Sequence, residues 1–445
     1  MMNIEHLKTI ILVLLVGASL LLTLALWTYQ PDFEELDQAT YLDETELGGE
    51  ERNVRELIRP TQISFNNFRE YSMIKDQETK QQLYDEITDW SFSQIDSHTT
   101  GGNASVLSRN MEVTFPIEVP LQMIGQIFDV EDFEYEWNQT FNRVYFQLVQ
   151  SSENMIRVQF ASNEHEETLQ GEIESGSAYE LISDYIVGNN TIPAERIDLQ
   201  SGTYIYVPTE PVEVSSPTIL TERLERQTII NILFNNPSLV RQQRLSSSTE
   251  DRNFTDGTRE LQTSQVLRNQ EFMTYVNPLT VETMSMTDQE LIRRSIDFNN
   301  DHLGFTDDFQ IDQIQNASNT IDYRMHYDGT PIFDESDYWM MEQSWSPNEL
   351  QEFNRPLFET QTRFQNEGDV DELDSGIDVY QFFENNQDEF SLDLIENMRI
   401  GYAVEIGDEV SGVLFLQPTW HIYYAGRWRT IDYFEERVML QEESG

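Results

Sequence analysis

Ile10 to Trp27 reads IILVLLVGASLLLTLALW. The stretch carries no charge, and Gly17, Ser19 and Thr23 are its only departures from strongly apolar side chains. Eighteen residues rising ~1.5 Å each span about 27 Å, close to a bilayer's hydrocarbon thickness. Trp27 and Tyr29 follow, where amphipathic rings settle at the headgroup level. Pro31 then ends the helix, because it has no N–H and clashes with the preceding turn. One spanning anchor is expected, with the rest of the chain attached behind it.

A cleavable signal ends in small residues. Leu26-Trp27-Thr28-Tyr29-Gln30-Pro31 is too bulky for that, so the anchor is expected to stay. A buried core helix is the competing reading, and the length, position and absence of charge weigh against it. Lys8 lies on the short side; on the long side the first basic residue is Arg52. The positive-inside rule makes 1–30 a cytoplasmic tail and transmembrane helix and places everything later outside the cell membrane.

The 445 residues carry 80 acidic and 27 Lys or Arg side chains, a net charge of −53. Lysine occurs only at Lys8, Lys75 and Lys80. Such self-repulsion opposes compactness at low ionic strength. In molar salt the Debye length falls to about 3 Å and the repulsion is largely screened. An exposed protein of a salt-loving or alkali-loving organism fits. The acids are spread along the chain rather than clustered, which argues against an acidic surface recruiting a basic ligand, and the charge itself argues against nucleic acid or phosphate-rich wall polymer as a partner. With no cysteine, disulfides, thiol catalysis and thiolate metal sites are excluded. A hydrophobic content of 38% with 11% aromatics can build cores.

Residues 31–55 are acidic and poor in apolar side chains, and read as an extended stalk. An N-terminal domain, 56–210, starts near Arg59-Pro60-Thr61-Gln62-Ile63. Its helix carries Leu83, Ile87 and Trp90 on one face. Arg143–Val149 and Met155–Phe160 alternate as a hairpin, with Ile156, Val158 and Phe160 facing the core. Ser177 with Glu180 reads as a capping box. Pro208, Pro211 and Pro217 mark a boundary, followed by a middle domain, 211–282, and a C-terminal domain, 283–445. A helix over 221–235 precedes a turn at Asp256-Gly257-Thr258. A second helix, capped by Thr287 and Glu290, precedes a turn at Asp328-Gly329-Thr330. This order points to two related units. A helix around 378–386 and closing strands at 400–406, 412–416 and 420–424 follow. Helices interspersed with hairpins mean α+β, here one transmembrane helix followed by three extracytoplasmic α+β domains.

Chemistry is sparse. His6, His98, His165, His302, His326 and His421 show no metal-ligand spacing, and no H-E-x-x-H, G-x-S-x-G or phosphate loop occurs. Asp369, Asp371, Asp374 and Gly376 depart from a calcium loop, because Leu373 takes a ligand position. Trp420 and Trp428 read as core filling ahead of a sugar platform. No catalytic residue, cofactor or metal is expected. Ser19 and Thr23, four apart, form a small-residue pair that lets a partner helix approach closely.

The order of several short stretches resembles the YycH family, also called WalH. They are the anchor running into Leu26–Pro31, Arg59–Ile63, Asp256–Leu261, Tyr275-Val276-Asn277-Pro278, Arg355-Pro356-Leu357, Pro418–Tyr424 and Gly426-Arg427-Trp428. The resemblance implies a non-enzymatic accessory of the WalK/WalR (YycG/YycF) two-component system. It implies partners, a sensor histidine kinase and a YycI-like protein, and a part in cell-wall homeostasis. It also implies three outer α+β domains. A membrane-anchored wall hydrolase and a solute-binding module are the readings left beside it. The first needs a paired acid and base in a groove; the second needs one deep pocket between domains.

Overall fold

The computed structural model describes residues 15–19, 21, 34–35, 45–98, 108–130, 139–149, 154–163, 168–188, 190–244, 251–267, 270–278, 285–334, 336–364, 370–406 and 412–442. Most of Ile10–Trp27 lies outside them, as does most of 31–44. Among the described residues no helix is long and apolar enough to cross a membrane.

Alternating apolar residues build a ten-stranded sheet in the N-terminal half. Its middle runs Gln62–Asn67, Arg109–Pro120, Thr140–Val149, Met155–Ala161, each antiparallel to the next. Ile156, Val158 and Phe160 are buried, as their alternation requires. Helix Gly176–Val187 buries Ala178, Ile182 and Ile186 on it. That helix is capped two residues earlier than expected: Ser175 Oγ, not Ser177, accepts from Ala178 N. Helix Gln77–Thr88 buries Leu83, Tyr84 and Ile87, and Tyr84 Oη donates to Ile58 O at 3.0 Å.

From Thr218 onward every described strand except Val370–Leu373, which pairs with Val212–Ser215, enters a fifteen-stranded sheet that Glu34–Glu35 completes. One order of elements occurs twice in it. Helix Arg226–Leu233 is followed by Arg241–Arg244, Arg252–Thr255, Glu260–Leu267 and Gln270–Val276. Helix Asp288–Asp301 is followed by Asp308–Gln315, Thr320–Tyr327, Met340–Trp345 and Leu350–Pro356, with Thr330–Phe333 interposed. An Asp-Gly turn follows the second strand each time. Asp328 and Gly329 both have positive φ, 48° and 75°, and make the expected two-residue hairpin. Asp256 does not; its Oδ1 instead accepts from Thr258 N and Arg259 N, and only Gly257 is left-handed. The last strands of the two meanders pair with each other, Phe272 opposite Pro356, so the sheet runs on across residue 282.

Two local expectations are revised. Thr218–Arg223 is a strand between Val413–Tyr424 and Phe358–Phe364, so the helix expected from Thr221 begins only at Arg226. Sheet pairing around buried Ile219 overrides the helical spacing. The strands expected at 412–416 and 420–424 are one, Val413–Tyr424. Pro418 sits between the stretches where that strand pairs on its outer edge, so its missing N–H disrupts no ladder there. A C-terminal helix, Ile431–Glu442, was not expected; Phe434 is its deeply buried anchor.

The two sheets are tied together. Residues 45–55, the end of the acidic stretch, dock on the loop behind helix Asp288–Asp301. Leu47 N donates to His302 O at 2.8 Å, Gly49 N to Leu303 O at 2.9 Å and Glu50 N to Phe305 O at 3.1 Å. Arg52 and Asn300 exchange hydrogen bonds of 2.9 Å in both directions. Asn53 and Glu56 then form a capping box on Val54–Leu57. Strand Asp308–Gln315 lies against Arg109–Pro120. A Cβ at Gly49 would collide with the Phe305 carbonyl. Gly49→Ala is therefore expected to cost about 1–3 kcal/mol, read as a lower Tm with faster proteolysis near residue 49; an unchanged Tm contradicts the docking.

Candidate functional site

Where basic residues are scarce, their placement is informative. In the N-terminal sheet Arg143 pairs with Glu112 at 2.6 Å, both buried. The same carboxylate accepts from Tyr204 Oη at 3.0 Å and Tyr206 Oη at 2.9 Å. The Arg143 guanidinium lies 3.8 Å from the Tyr204 ring centre. Burial pushes the Tyr204 hydroxyl up to about 12, with Glu112 adding to it, so it stays a donor.

A second cluster stands where the sheets meet. Asp312 projects from Asp308–Gln315, Arg324 from the neighbouring Thr320–Tyr327, and Arg399 from Ile395–Ile406. Arg324 Nε and Nη2 both donate to Asp312 Oδ2 at 2.9 Å, and Arg399 Nη2 donates to Oδ1 at 2.8 Å. Burial alone would raise the Asp312 pKa, but the two guanidinium groups hold it far below the usual carboxylate range. Arg399 also lies 4.2 Å from the Trp428 ring centre, and Arg324 4.3 Å from that of Phe333. His421 stacks on Phe333 at 4.2 Å; burial, then Arg399, lowers its pKa to about 3.

A cavity of about 290 Å³ opens beside this cluster, between the halves. Arg59, Pro60, Thr61 and Gln62 wall one side, with Gln77 and Lys80 from the adjoining helix. Asp312, Arg399 and Trp420 face them. Lys80 Nζ donates to Thr61 O at 3.2 Å. Burial, then Arg399 and Arg59, lowers the Lys80 pKa to about 7.

The residues singled out from sequence are not brought together. Ser19 lies in a helical stretch, Leu15–Ser19, whose Leu15 and Val16 are exposed; Thr23 lies outside the described residues. Trp420 is buried and its indole N–H donates to Asp374 O at 2.8 Å, a core role. Asp371 sits in strand Val370–Leu373 and accepts from Ser216 Oγ. Among the described residues no group of three or more His, Asp or Glu is placed to hold a metal. Asp312, Arg324 and Arg399 were missed, since they come from three separated strands; only the rarity of bases could have flagged them.

Comparison with known proteins now fits this frame. The family model described as "YycH protein, N-terminal domain" matches residues 5–188, and "YycH protein, C-terminal domain" matches 202–437. The chain belongs to the YycH family. It is similar to a protein of Bacillus subtilis (strain 168) named "Two-component system WalR/WalK regulatory protein YycH". Identity is 21% over 447 residues, covering 96% of each chain. A crystal structure of YycH from Bacillus subtilis superposes with a TM-score of 0.70 at 16% identity, covering 87% of this chain and 99% of the other.

The stretches that resemble YycH family members have structural reasons. Arg59–Gln62 forms the cavity wall. Arg355 is fully buried, its Nη1 donating to Gly304 O at 2.9 Å and its Nη2 to Thr306 Oγ1 at 3.0 Å, which clamps the loop carrying Phe305. His421 and Trp428 complete the stack around Phe333 and Arg399.

Two outcomes follow from the electrostatics. Asp312→Asn leaves one buried and one half-buried guanidinium group without their anion. Its expected cost is about 3–5 kcal/mol, measured by urea unfolding; a cost under about 1 kcal/mol, the range of exposed pairs, contradicts the geometry. Lys80 binds its proton less tightly folded, near 7, than unfolded, near 10.5. Unfolded chains hold more protons in that window, so the stability of the wild type relative to Lys80→Met should rise from pH 7 to pH 10. A flat difference in Tm contradicts this.

Proposed function

We propose that this protein is a non-enzymatic, membrane-anchored regulator of a WalR/WalK-type two-component system. The observation that carries the reading is similarity over nearly the whole chain to a protein named as a WalR/WalK regulator. It acts by binding a WalK (YycG)-like sensor histidine kinase together with a YycI-like partner, and thereby adjusts cell-wall homeostasis. Ile10–Trp27 is its single spanning helix, with the N-terminus cytoplasmic and the outer domains 56–210, 211–282 and 283–445 extracellular. The doubled helix-and-meander order supports relating the last two. Exposed Leu15, Val16 and Leu21 support the anchor, since such side chains favour a lipid surround.

A kinase signals by shifting the packing of its own helices. A neighbouring helix biases that equilibrium only if it packs better against one state. Close approach at Ser19 and Thr23 supplies such a difference. Replacing both by Leu keeps the segment apolar and should weaken association with the kinase in a membrane two-hybrid assay at unchanged insertion; undiminished association removes that face from the interface. Protease added to intact protoplasts should digest the outer domains, and a fully protected C-terminus contradicts the topology. If the purified chain instead cleaves wall glycan and binds neither partner, the hydrolase reading replaces this one.

A further inference from the structure

In a chain with 80 acids and 27 bases, the interior of the junction cavity has the opposite balance. Three acids line it. Asp76 and Glu396 are exposed at its rim, and Asp312 is already engaged by two arginines. Arg59, Lys80, Arg143 and Arg399 lie further in, each half-buried or buried. Arg143 is neutralised by Glu112, and Arg59 has Asp85 at 3.3 Å. Lys80 has only a backbone carbonyl, and Arg399 shares one carboxylate with Arg324. The Arg399 Nε–H has no acceptor among the described residues. Lys80 and Arg399 therefore line the cavity with no described carboxylate at ion-pair distance that is theirs alone, in a molecule that could have supplied one almost anywhere.

We propose that this cavity binds a small phosphate-bearing anion, held by Lys80 and Arg399 with Arg59 beside them. Guanidinium and ammonium groups together are the usual receptors for phosphate oxygens. The volume admits a phosphate or a short phosphate ester. Because Lys80 and Arg59 belong to the N-terminal half and Arg399 to the large sheet, the bound anion bridges the two. This site goes beyond the regulatory reading and stands or falls without it.

The chain's three lysines make the test direct. Full-length protein in detergent, with isotope-labelled lysine, is titrated with inorganic phosphate and separately with glycerol phosphate, ionic strength being held constant with sodium chloride. The Lys80 signal should move saturably and by more than that of Lys75 at the exposed edge of the cavity, while that of Lys8 stays in place. Tighter binding of glycerol phosphate identifies an ester as the ligand; tighter binding of inorganic phosphate identifies the free ion. By calorimetry Lys80→Met should weaken binding at least about tenfold, whereas Lys80→Arg should retain it and Arg437→Met, outside the cavity beside Glu389, should match the wild type. No saturable movement at Lys80 with either anion overturns the proposal. So does a folded Lys80→Met that binds as tightly as the wild type, or an equal loss in Arg437→Met. If Lys80→Met does not fold, the wild-type titration decides alone.

Discussion

Asp312 holds the junction by accepting from two arginines with both of its oxygens. The three side chains of that cluster come from strands 308–315, 320–327 and 395–406, and the first of these also lies against the N-terminal sheet. A buried ion pair is weak evidence for net stability, because desolvation offsets much of the attraction. It is strong on specificity: an arrangement that separates these groups leaves charge buried and unpaired. The cation–π contacts to Phe333 and Trp428 pack the flat faces of the guanidinium groups while their edges face the carboxylate. The three side chains link three strands, and two of them, Asp312 and Arg399, line the cavity.

The acidic exterior gives this arrangement its context. With a net charge of −53, surface repulsion pushes outward at low ionic strength and is screened within about 10 Å in 0.1 M salt. Buried pairs such as Arg143–Glu112 and Arg324–Asp312 are screened far less. Salt thus relieves the repulsion while leaving the internal attractions in place. The scarcity of lysine follows the same division: Lys75 sits exposed near Glu213 at 3.7 Å, and Lys80 lines the cavity.

Much of the fold was legible because period and polarity agreed. The 143–149 and 155–160 hairpin, the Thr287–Glu290 cap and the Asp328-Gly329 turn each needed only neighbours in sequence. What failed depended on distant pairing. Thr218–Arg223 looks helical until Phe358–Phe364 and Val413–Tyr424 flank it. Ile431–Glu442 carries one deep anchor, Phe434, too little for a clear apolar stripe. The site was legible only in part. Arg59–Ile63 drew notice as a stretch and Lys80 as a rare lysine, but nothing local joins residues 312, 324 and 399. The pairs that matter there are created by the sheet.

The two sheets, joined through this junction, are expected to open as one unit. Hydrogen exchange of the full chain across a denaturant series tests it most directly, by comparing peptides from Arg109–Pro120 with those from Asp308–Gln315. Loss of protection at the same denaturant concentration, with the same dependence, is expected. An N-terminal sheet that stays protected after the 308–315 strand has opened would contradict it.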